Sequence, residues 1–204
     1  MHETDLTRRG VRVGGAPPVR RAVFLDRDGT MLEEGNYVDR LDRLIFFPYT
    51  IDAIRVLNDE NFAVVVVTNQ SGVARGMYPE SFVTEGHEYI DAQVRAGGAR
   101  VDGYYYCPHH PEGSVTALRQ DCDCRKPRPG QLLQAAKDLN LDLPQSFIIG
   151  DRWKDIEAGK AVGARAVLVR TGYGREAEQT KRDDDDTAVV DNLIQAVAWI
   201  LRQA

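Results

Sequence analysis

Two aspartates at the end of a short apolar run are well suited to phosphoryl-transfer chemistry. Asp26 and Asp28 stand in the segment FLDRDGT, where side chains two residues apart point the same way if the chain is extended, so both could meet one phosphate. A carboxylate can attack phosphorus to form an aspartyl phosphate, and a second one can protonate the leaving oxygen and later activate water. An Asp/Gly turn would have the same composition, so both interpretations stay open here.

Residues that suit phosphate binding occur at two later points. The stretch TNQSG begins at Thr68, after an apolar run, and its hydroxyl, amides and backbone N–H groups could hold phosphate oxygens without adding charge. Further along, Lys126 could neutralise charge on the transferring phosphoryl group, and Arg125 beside it could bind another phosphate with its planar fork. Each segment alone could also be an ordinary turn.

An acidic segment after another apolar run completes the set. In GDRWKD, Asp151 would supply the remaining acidic ligand of a magnesium ion. Asp155 could orient its neighbours, or it could simply cap the helix that follows. Together the segments provide a nucleophile, a hydroxyl donor, a cation and a metal carboxylate, which is the set that magnesium-dependent phosphoryl transfer requires.

These segments need a fold that brings strand ends together, and the hydrophobic pattern predicts one. Short β-rich runs alternate with helix-like segments, and several runs are almost continuously apolar, as expected where helices cover both faces of a parallel sheet. The predicted fold is a doubly wound, Rossmann-like α/β sheet, whose ligands bind beyond the carboxyl ends of the strands. The predicted strands are residues 22–26, 62–68, 102–106, 146–150 and 164–170, and the predicted helices are residues 50–60, 79–96, 129–140, 153–162 and 192–201.

The chain of 204 residues is long enough for one well-buried domain, which we assign to residues 21–204. Residues 1–20 mix glycines, prolines and arginines without an apolar period and are predicted to be a mobile leader. Residues 174–187 are polar and include a run of aspartates, which predicts a solvated loop. No separate segment is large enough for a cap domain, so we expect a minimal cap or none.

The predicted helix over residues 79–96 carries a histidine, His87, that could belong to a site or to the surface. Acidic residues occupy one face of this helix, and apolar residues recur at helical spacing on the other. The apolar face is predicted to consist of Phe82, Val83, Gly86, Tyr89, Ile90 and Val94. We therefore expect His87 at the surface, without a catalytic role.

Composition and charge argue against several classes of partner. Lys and Arg number 26 against 31 Asp and Glu, and the net charge of −5 gives no general field for nucleic acid or an anionic membrane. No apolar run approaches the roughly 20 residues that span a bilayer, and the N-terminus lacks a secretory signal. The odd number of cysteines suits a reduced compartment. We therefore expect a cytosolic protein, and nothing in the sequence demands more than a monomer.

The strand-end motifs together resemble those of the haloacid dehalogenase (HAD) superfamily of phosphatases. The superfamily's motifs are matched in order and spacing by FLDRDGT, VVVVTNQSG, CRKPRPG and GDRWKDIEAG, over about residues 21–172. Within the superfamily the chain is similar to the D-glycero-D-manno-heptose 1,7-bisphosphate phosphatases, relatives of the histidinol-phosphate phosphatases, through TNQSGVARG, YYYCPHH and CDCRKP. The resemblance implies a small phosphorylated sugar as partner and removal of the C7 phosphate of the bisphosphate, in nucleotide-activated heptose biosynthesis.

The resemblance also implies a role for each matched residue. Asp26 is then the nucleophile and a magnesium ligand, Asp28 is the acid/base and gives its backbone carbonyl to the metal, and Asp151 completes the magnesium site. Thr68 and Lys126 hold the phosphoryl group. The implied substrate-binding residues are Glu34, Gly35, Asn36, Tyr37, Asn69, Gln70, Ser71, Arg125 and Arg152, with Arg125 a candidate for the phosphate that is not transferred. Relatives often carry Lys where Arg152 stands, which leaves fine substrate contacts open.

Cysteine and histidine residues in one short region suit a tetrahedral zinc ion. On composition alone the ligands are Cys107, Cys122, Cys124 and either His109 or His110. The related phosphatases use the first histidine, so His109 is the predicted ligand. Four protein ligands leave no open position, so this zinc would be structural and would fix residues 107–124, directly before the Arg-Lys pair. A catalytic zinc is the weaker alternative, because three thiolates make the ion a poor Lewis acid.

Other functions stay open on the residues alone. A zinc knuckle with basic residues could contact nucleic acid, and DNA 3′-end phosphatases share a similar DxDGT and TNQ pattern. A phospho-acceptor signalling domain also uses a sheet-end aspartate, magnesium and a Thr/Lys pair, although Asp28 argues against it because an adjacent acid/base hastens hydrolysis. A histidinol-phosphate phosphatase is a further alternative, although Arg125 favours a substrate with two phosphates.

Overall fold

The fold is organised by one parallel sheet in a computed structural model that describes residues 19–180 and 187–203. The strands lie in the order β3-β2-β1-β4-β5-β6, so the chain winds outward from β1 in one direction, returns to the centre and then winds outward in the other. The strands are β1 (Ala22–Leu25), β2 (Ala63–Asn69), β3 (Gly103–Cys107), β4 (Phe147–Gly150), β5 (Arg165–Val169) and β6 (Ala188–Val190).

Helices cover both faces of the sheet. They are α1 (Thr50–Asp59), α2 (Ser71–Ala74), α3 (Glu80–Ala96), α4 (Gly130–Leu139), α5 (Trp153–Lys160), α6 (Gly174–Glu178) and α7 (Leu193–Leu201). Apolar residues of α1, α3 and α7 pack on one face, and those of α4 and α5 pack on the other. No helix of the described residues is long and apolar enough to cross a membrane.

The near-continuous hydrophobicity of the strands follows from this double cover. Along β1, Val23 and Leu25 belong to the core under α1, whereas Phe24 between them belongs to the core under α4 and α5. All three side chains are fully buried. Burying one such large apolar side chain contributes about 1.5–3 kcal/mol, so a strand of this kind is specified by both helix layers.

The strand order reverses direction at β1, and this reversal fixes where a ligand-binding site can form. β1 pairs in parallel with both β2 and β4, and Leu25 is opposite Val66 on one side and Ile149 on the other. The residues that follow β1 and β4 therefore emerge side by side at the carboxyl edge of the sheet. Open α/β sheets bind their ligands at this reversal point.

The predicted doubly wound parallel fold is confirmed, with a few corrections to its parts. A sixth strand, β6, was not predicted, because three residues carry too short a pattern. The segment 174–187, predicted to be a loop, contains the short helix α6, while residues 181–186 lie outside the described residues. Of the predicted leader, residues 1–18 also lie outside them, and Arg20 forms an ion pair with Asp102 at 3.2 Å.

The prediction that His87 lies on the surface was wrong. The side chain is buried in the face of α3 that packs on the sheet, and its ring stacks on that of Tyr104 at 5.0 Å between centroids. The buried residues of α3 recur at Val83, His87, Ile90 and Val94, which is one continuous helical stripe. Burial lowers the pKa of His87 to about 3, so the imidazole is neutral.

Candidate active site

Lys126 is the buried cation around which the carboxylates of the site are arranged. Its Nζ lies 2.5 Å from Oδ1 of Asp26 at the end of β1 and 2.8 Å from Oδ1 of Asp155 in α5. The same ammonium donates a hydrogen bond to the carbonyl of Val67 in β2, at 2.7 Å. One side chain thus joins β1, β2 and α5 through atoms that are almost entirely out of water.

The charges of this cluster do not balance. Burial raises the pKa of Asp26 to about 6, although Lys126 opposes the shift. Burial, followed by repulsion from Asp26 and Asp155, raises the pKa of Asp151 to about 8. Burial works against the charge on Lys126, yet Asp155 and Asp26 together raise its pKa, so the ammonium stays charged. With one cation among three carboxylates, the site favours binding of a further positive charge.

A magnesium ion fits this donor set. Oxygen atoms of Asp26, Asp151 and Asp155 lie within 4.8 Å of one another, and carboxylate oxygens are the ligands that magnesium prefers. Asp155 is already engaged, since it pairs with Lys126 and also accepts a hydrogen bond from the backbone N–H of Arg152 at 3.1 Å. Asp26 and Asp151 are therefore the two carboxylates best placed to face a cation.

The backbone of two glycines packs closely against the carboxylate of Asp151. Gly29 and Gly172 both have positive φ, and a Cβ atom on either one would lie 2.2 Å from Oδ2 of Asp151. Thr171 donates a hydrogen bond to the carbonyl of Gly29 at 2.6 Å, which joins the two turns. The N–H of Tyr173 donates to the same Asp151 oxygen at 2.8 Å. Only residues without a side chain allow this contact.

Asp28 is held apart from the metal cluster by two donors. The guanidinium of Arg27 binds both of its carboxylate oxygens at 2.9–3.1 Å. Gln70 donates to Asp28 at 3.0 Å and to the hydroxyl of Thr68 at 2.8 Å, and Tyr78 donates to the Gln70 carbonyl at 2.9 Å. Because Gln70 is fixed at both ends of its amide, it sets the relative position of Asp28 and Thr68.

The loop that carries Lys126 is fastened to the end of β2 by two amide side chains. Asn69 accepts a hydrogen bond from the N–H of Lys126 at 3.1 Å and donates to its carbonyl at 3.0 Å. Gln131 of α4 accepts from the N–H of Thr68 at 2.9 Å and donates to the carbonyl of Cys124 at 2.8 Å. Amides that are hydrogen-bonded at both ends specify one position of the loop.

Residues 107–124, here called the metal loop, bring together four side chains that could hold a metal ion: Cys107, His109, Cys122 and Cys124. The Cys122 sulfur lies 3.4 Å from that of Cys107 and 3.2 Å from that of Cys124. Nδ1 of His109 lies 3.3 Å from the Cys124 sulfur and 3.8 Å from the Cys107 sulfur. Sulfurs around tetrahedral zinc at 2.3 Å would be about 3.8 Å apart, so these donors fit the ion with a small expansion. Residues 107–124 could therefore hold a metal.

A polar cleft of about 280 Å³ opens above the carboxylates. Its lining includes every predicted substrate-binding residue except Gly35, which stands in the same loop: Glu34, Asn36, Tyr37, Asn69, Gln70, Ser71, Arg125 and Arg152. The Arg152 guanidinium lies over the ring of Tyr173, 3.4 Å from its centroid, and the Tyr173 hydroxyl donates to Asn36 at 2.8 Å. This chain of contacts joins the residues after β4 and β5 to the loop that follows β1.

Comparison with known proteins agrees with the geometry. A HAD-hydrolase-like family model matches residues 123–196. D-glycero-beta-D-manno-heptose-1,7-bisphosphate 7-phosphatase of Yersinia pestis is 46% identical over 159 residues, which is 77% of this chain and 84% of that protein. The enzyme of the same name from Escherichia coli K12 is 48% identical over 153 residues, covering 74% and 80%. The chain belongs to this family of HAD-like phosphatases.

The solved structures lead to the same family. D,D-heptose 1,7-bisphosphate phosphatase of B. bronchiseptica, solved with magnesium and phosphate, superposes with a TM-score of 0.81 at 30% identity. The superposition covers 90% of this chain and 99% of the other. The predictions of a HAD-type fold and of a phosphoric monoester hydrolase are confirmed.

The structure brings the predicted catalytic residues to one edge of the sheet. Asp26, Asp28, Thr68 and Asp151 all line the cleft, and Lys126 lies beneath it in contact with Asp26. The Asp28 side chain is bound to Arg27 and Gln70, so only its backbone is available for the metal contact that the family resemblance implies. Asp155 fills both roles considered for it, because it pairs with Lys126 and also caps α5.

Several residues of the site were not predicted from the sequence. Gln131 could not be found from the sequence, because a glutamine in a helix gives no hint of a long-range amide bond. Gly172 and Tyr173 follow the fifth predicted strand, so the rule that pointed to the other strand ends would have found them. Arg75 and His110 also line the cleft and were not predicted to do so.

Replacing Lys126 by Met tests the central ion pairs. The change leaves Asp26 and Asp155 buried without a counter-charge, which typically costs about 3–5 kcal/mol. We expect the free energy of urea unfolding at pH 7.5, measured in magnesium-free buffer, to fall by that amount. The control Lys137→Met, at an exposed position of α4, should leave stability nearly unchanged. A loss below about 1 kcal/mol in Lys126→Met would contradict the role of the pairs.

Proposed function

We propose that this chain removes the 7-phosphate of D-glycero-β-D-manno-heptose 1,7-bisphosphate through an aspartyl phosphate on Asp26. The observation that carries the proposal is the 46–48% identity to enzymes of that activity over 80–84% of their length. The names of these relatives also favour the β anomer, which the sequence alone left open. The arrangement of Asp26, Lys126, Thr68 and Asp28 supports the chemistry.

The first step is the attack of Asp26 on the phosphorus. Lys126, 2.5 Å from Asp26, favours its ionised form, which is the form that can attack. The Thr68 hydroxyl holds an oxygen of the phosphoryl group, and the charge of Lys126 stabilises that group as the bond to the sugar oxygen breaks. Asp28 gives its proton to that leaving oxygen, so the sugar departs as a neutral alcohol.

The second step returns the enzyme to its starting state. Asp28, now a carboxylate, takes a proton from a water molecule, which attacks the phosphorus and breaks its bond to Asp26. Arg27 and Gln70 hold the Asp28 carboxyl group by the hydrogen bonds described above, so the same group is in place for both steps. Inorganic phosphate leaves, and Asp28 is again protonated.

A magnesium ion would be held by Asp26, Asp151 and the backbone carbonyl of Asp28. When bound it would neutralise charge on the phosphate and on the three buried carboxylates. The fit rests on the carboxylate oxygens of Asp26, Asp151 and Asp155, which lie within 4.8 Å of one another. Burial also raises the pKa of both Asp26 and Asp151, as expected of carboxylates that lack enough positive charge nearby.

Zinc is proposed as a structural ion bound by Cys107, His109, Cys122 and Cys124. Gln131 bonds to the carbonyl of Cys124 and to the N–H of Thr68, so the position of the metal loop is linked to the site. Arg125, the next residue, is the proposed contact for the remaining phosphate. Reduced thiols are typical of the cytosol, where we place the enzyme as a monomer that needs no nucleic acid or membrane partner.

Removing one zinc ligand should therefore disable turnover. We expect elemental analysis to find one zinc per chain in the native protein and none in Cys124→Ser. Phosphate release by the variant in saturating magnesium should fall by more than about tenfold, because the loop that carries Lys126 loses its anchor. Full activity in a zinc-free variant would show that the ion is dispensable.

A substrate panel with magnesium separates the proposed function from its alternatives. The compounds are the β and α anomers of the heptose 1,7-bisphosphate, histidinol phosphate and a 3′-phosphorylated oligonucleotide. We expect the highest kcat/KM on the β anomer and no phosphate release by Asp26→Asn. Faster turnover of histidinol phosphate or of the oligonucleotide would reject the heptose assignment, and normal release by Asp26→Asn would reject the nucleophile.

A further inference from the structure

Arg75 and His110 face each other in a group that has more hydrogen-bond donors than acceptors. Nη2 of Arg75 lies 3.1 Å from Nε2 of His110, and Nδ1 of the same ring lies 3.0 Å from the backbone N–H of Glu112. A neutral imidazole has one acceptor nitrogen, and a charged one has none. Arg75 and Glu112 therefore compete for at most one acceptor, whichever protonation state His110 takes.

A surplus of hydrogen-bond donors is characteristic of an anion-binding site. If Nδ1 accepts from Glu112, the proton of a neutral ring is on Nε2 and points toward the Arg75 guanidinium. An oxygen that accepts from both groups would satisfy them together. Nε of Arg75 is a further buried donor without a partner. Among the described residues, no carboxylate lies within ion-pair distance of Arg75 or Arg125.

The pair is built into the wall of the active-site cleft. Arg75, His110 and Arg125 all line this cleft, and Arg125 donates to the carbonyl of His109 at 3.2 Å. The end of α2 is fastened to the metal loop by two backbone bonds of Ala74, to Pro108 at 3.2 Å and to Val115 at 2.9 Å. Arg75 is thus held beside His110 by the loop that carries the other cation.

We propose that Arg75 and His110, together with Arg125, bind the phosphate that is not transferred and so make the enzyme prefer a bisphosphate. The inference rests on the proposed function, because it concerns the remote end of the same substrate. A phosphate dianion supplies several acceptor oxygens, and guanidinium groups bind it by paired hydrogen bonds. Arg75 and His110 are then specificity-determining residues, remote from the phosphorus that reacts.

The test compares heptose 1,7-β-bisphosphate with heptose 7-phosphate, which lacks only the remote phosphate. Arg75→Gln should lower kcat/KM for the bisphosphate about 10- to 100-fold, chiefly through KM, because charge-assisted hydrogen bonds are lost. The value for the monophosphate should change by less than about twofold. His110→Ala should act in the same direction, and Arg75→Lys should recover part of the loss because the charge is retained.

Controls separate binding from loop structure. Arg128→Gln removes an exposed arginine near the same loop and should leave the preference unchanged, and bound zinc should be equal in every variant. Equal losses on both substrates, or an unaltered preference in Arg75→Gln and Arg75→Lys, would overturn the inference. A native enzyme that hydrolyses the bisphosphate no better than the monophosphate would instead reject the proposed function, and the inference with it.

Discussion

A lysine ammonium removed from water requires opposite charges around it, and Lys126 has two. Asp26 and Asp155 hold it at 2.5 and 2.8 Å, and their own burial would be unfavourable without it. The three residues come from β1, from the loop before α4 and from α5. Their mutual dependence therefore fixes the positions of three separate segments. The same arrangement leaves Asp151 without a counter-ion, which creates the demand for a metal.

The fold provides this arrangement through the reversal of strand order. Because β1 lies between β2 and β4, the carboxyl ends of all three meet. Asp26 and Asp151 directly follow β1 and β4, and Thr68 lies at the end of β2. Lys126 itself lies in a loop and not at the end of a strand. This loop is held by the amides of Asn69 and Gln131, and in our proposal by zinc at its start. In that proposal, the zinc ion and Lys126 are linked through a short stretch of chain.

The sequence was most informative at the ends of strongly apolar strands. Asp26, Thr68 and Asp151 stand at such points, and the alternation of strands and helices predicted the fold that joins them. Prediction failed where the signal is long-range or short. His87 is polar by type but is buried through the spacing of its stripe in α3, and β6 is only three residues long. The partners of Gln131 lie far away in sequence, so no local pattern could reveal them.

The proposed mechanism depends most on Asp26 as the nucleophile that attacks phosphorus. The most direct measurement is mass spectrometry of the Asp28→Asn variant, quenched in acid during turnover with magnesium and the β-bisphosphate. Without its acid/base the variant should accumulate one phosphoryl group, and fragmentation should locate it on Asp26. A phosphoryl group on another residue, or an Asp28→Asn enzyme with unaltered turnover and no covalent phosphate, would contradict the mechanism.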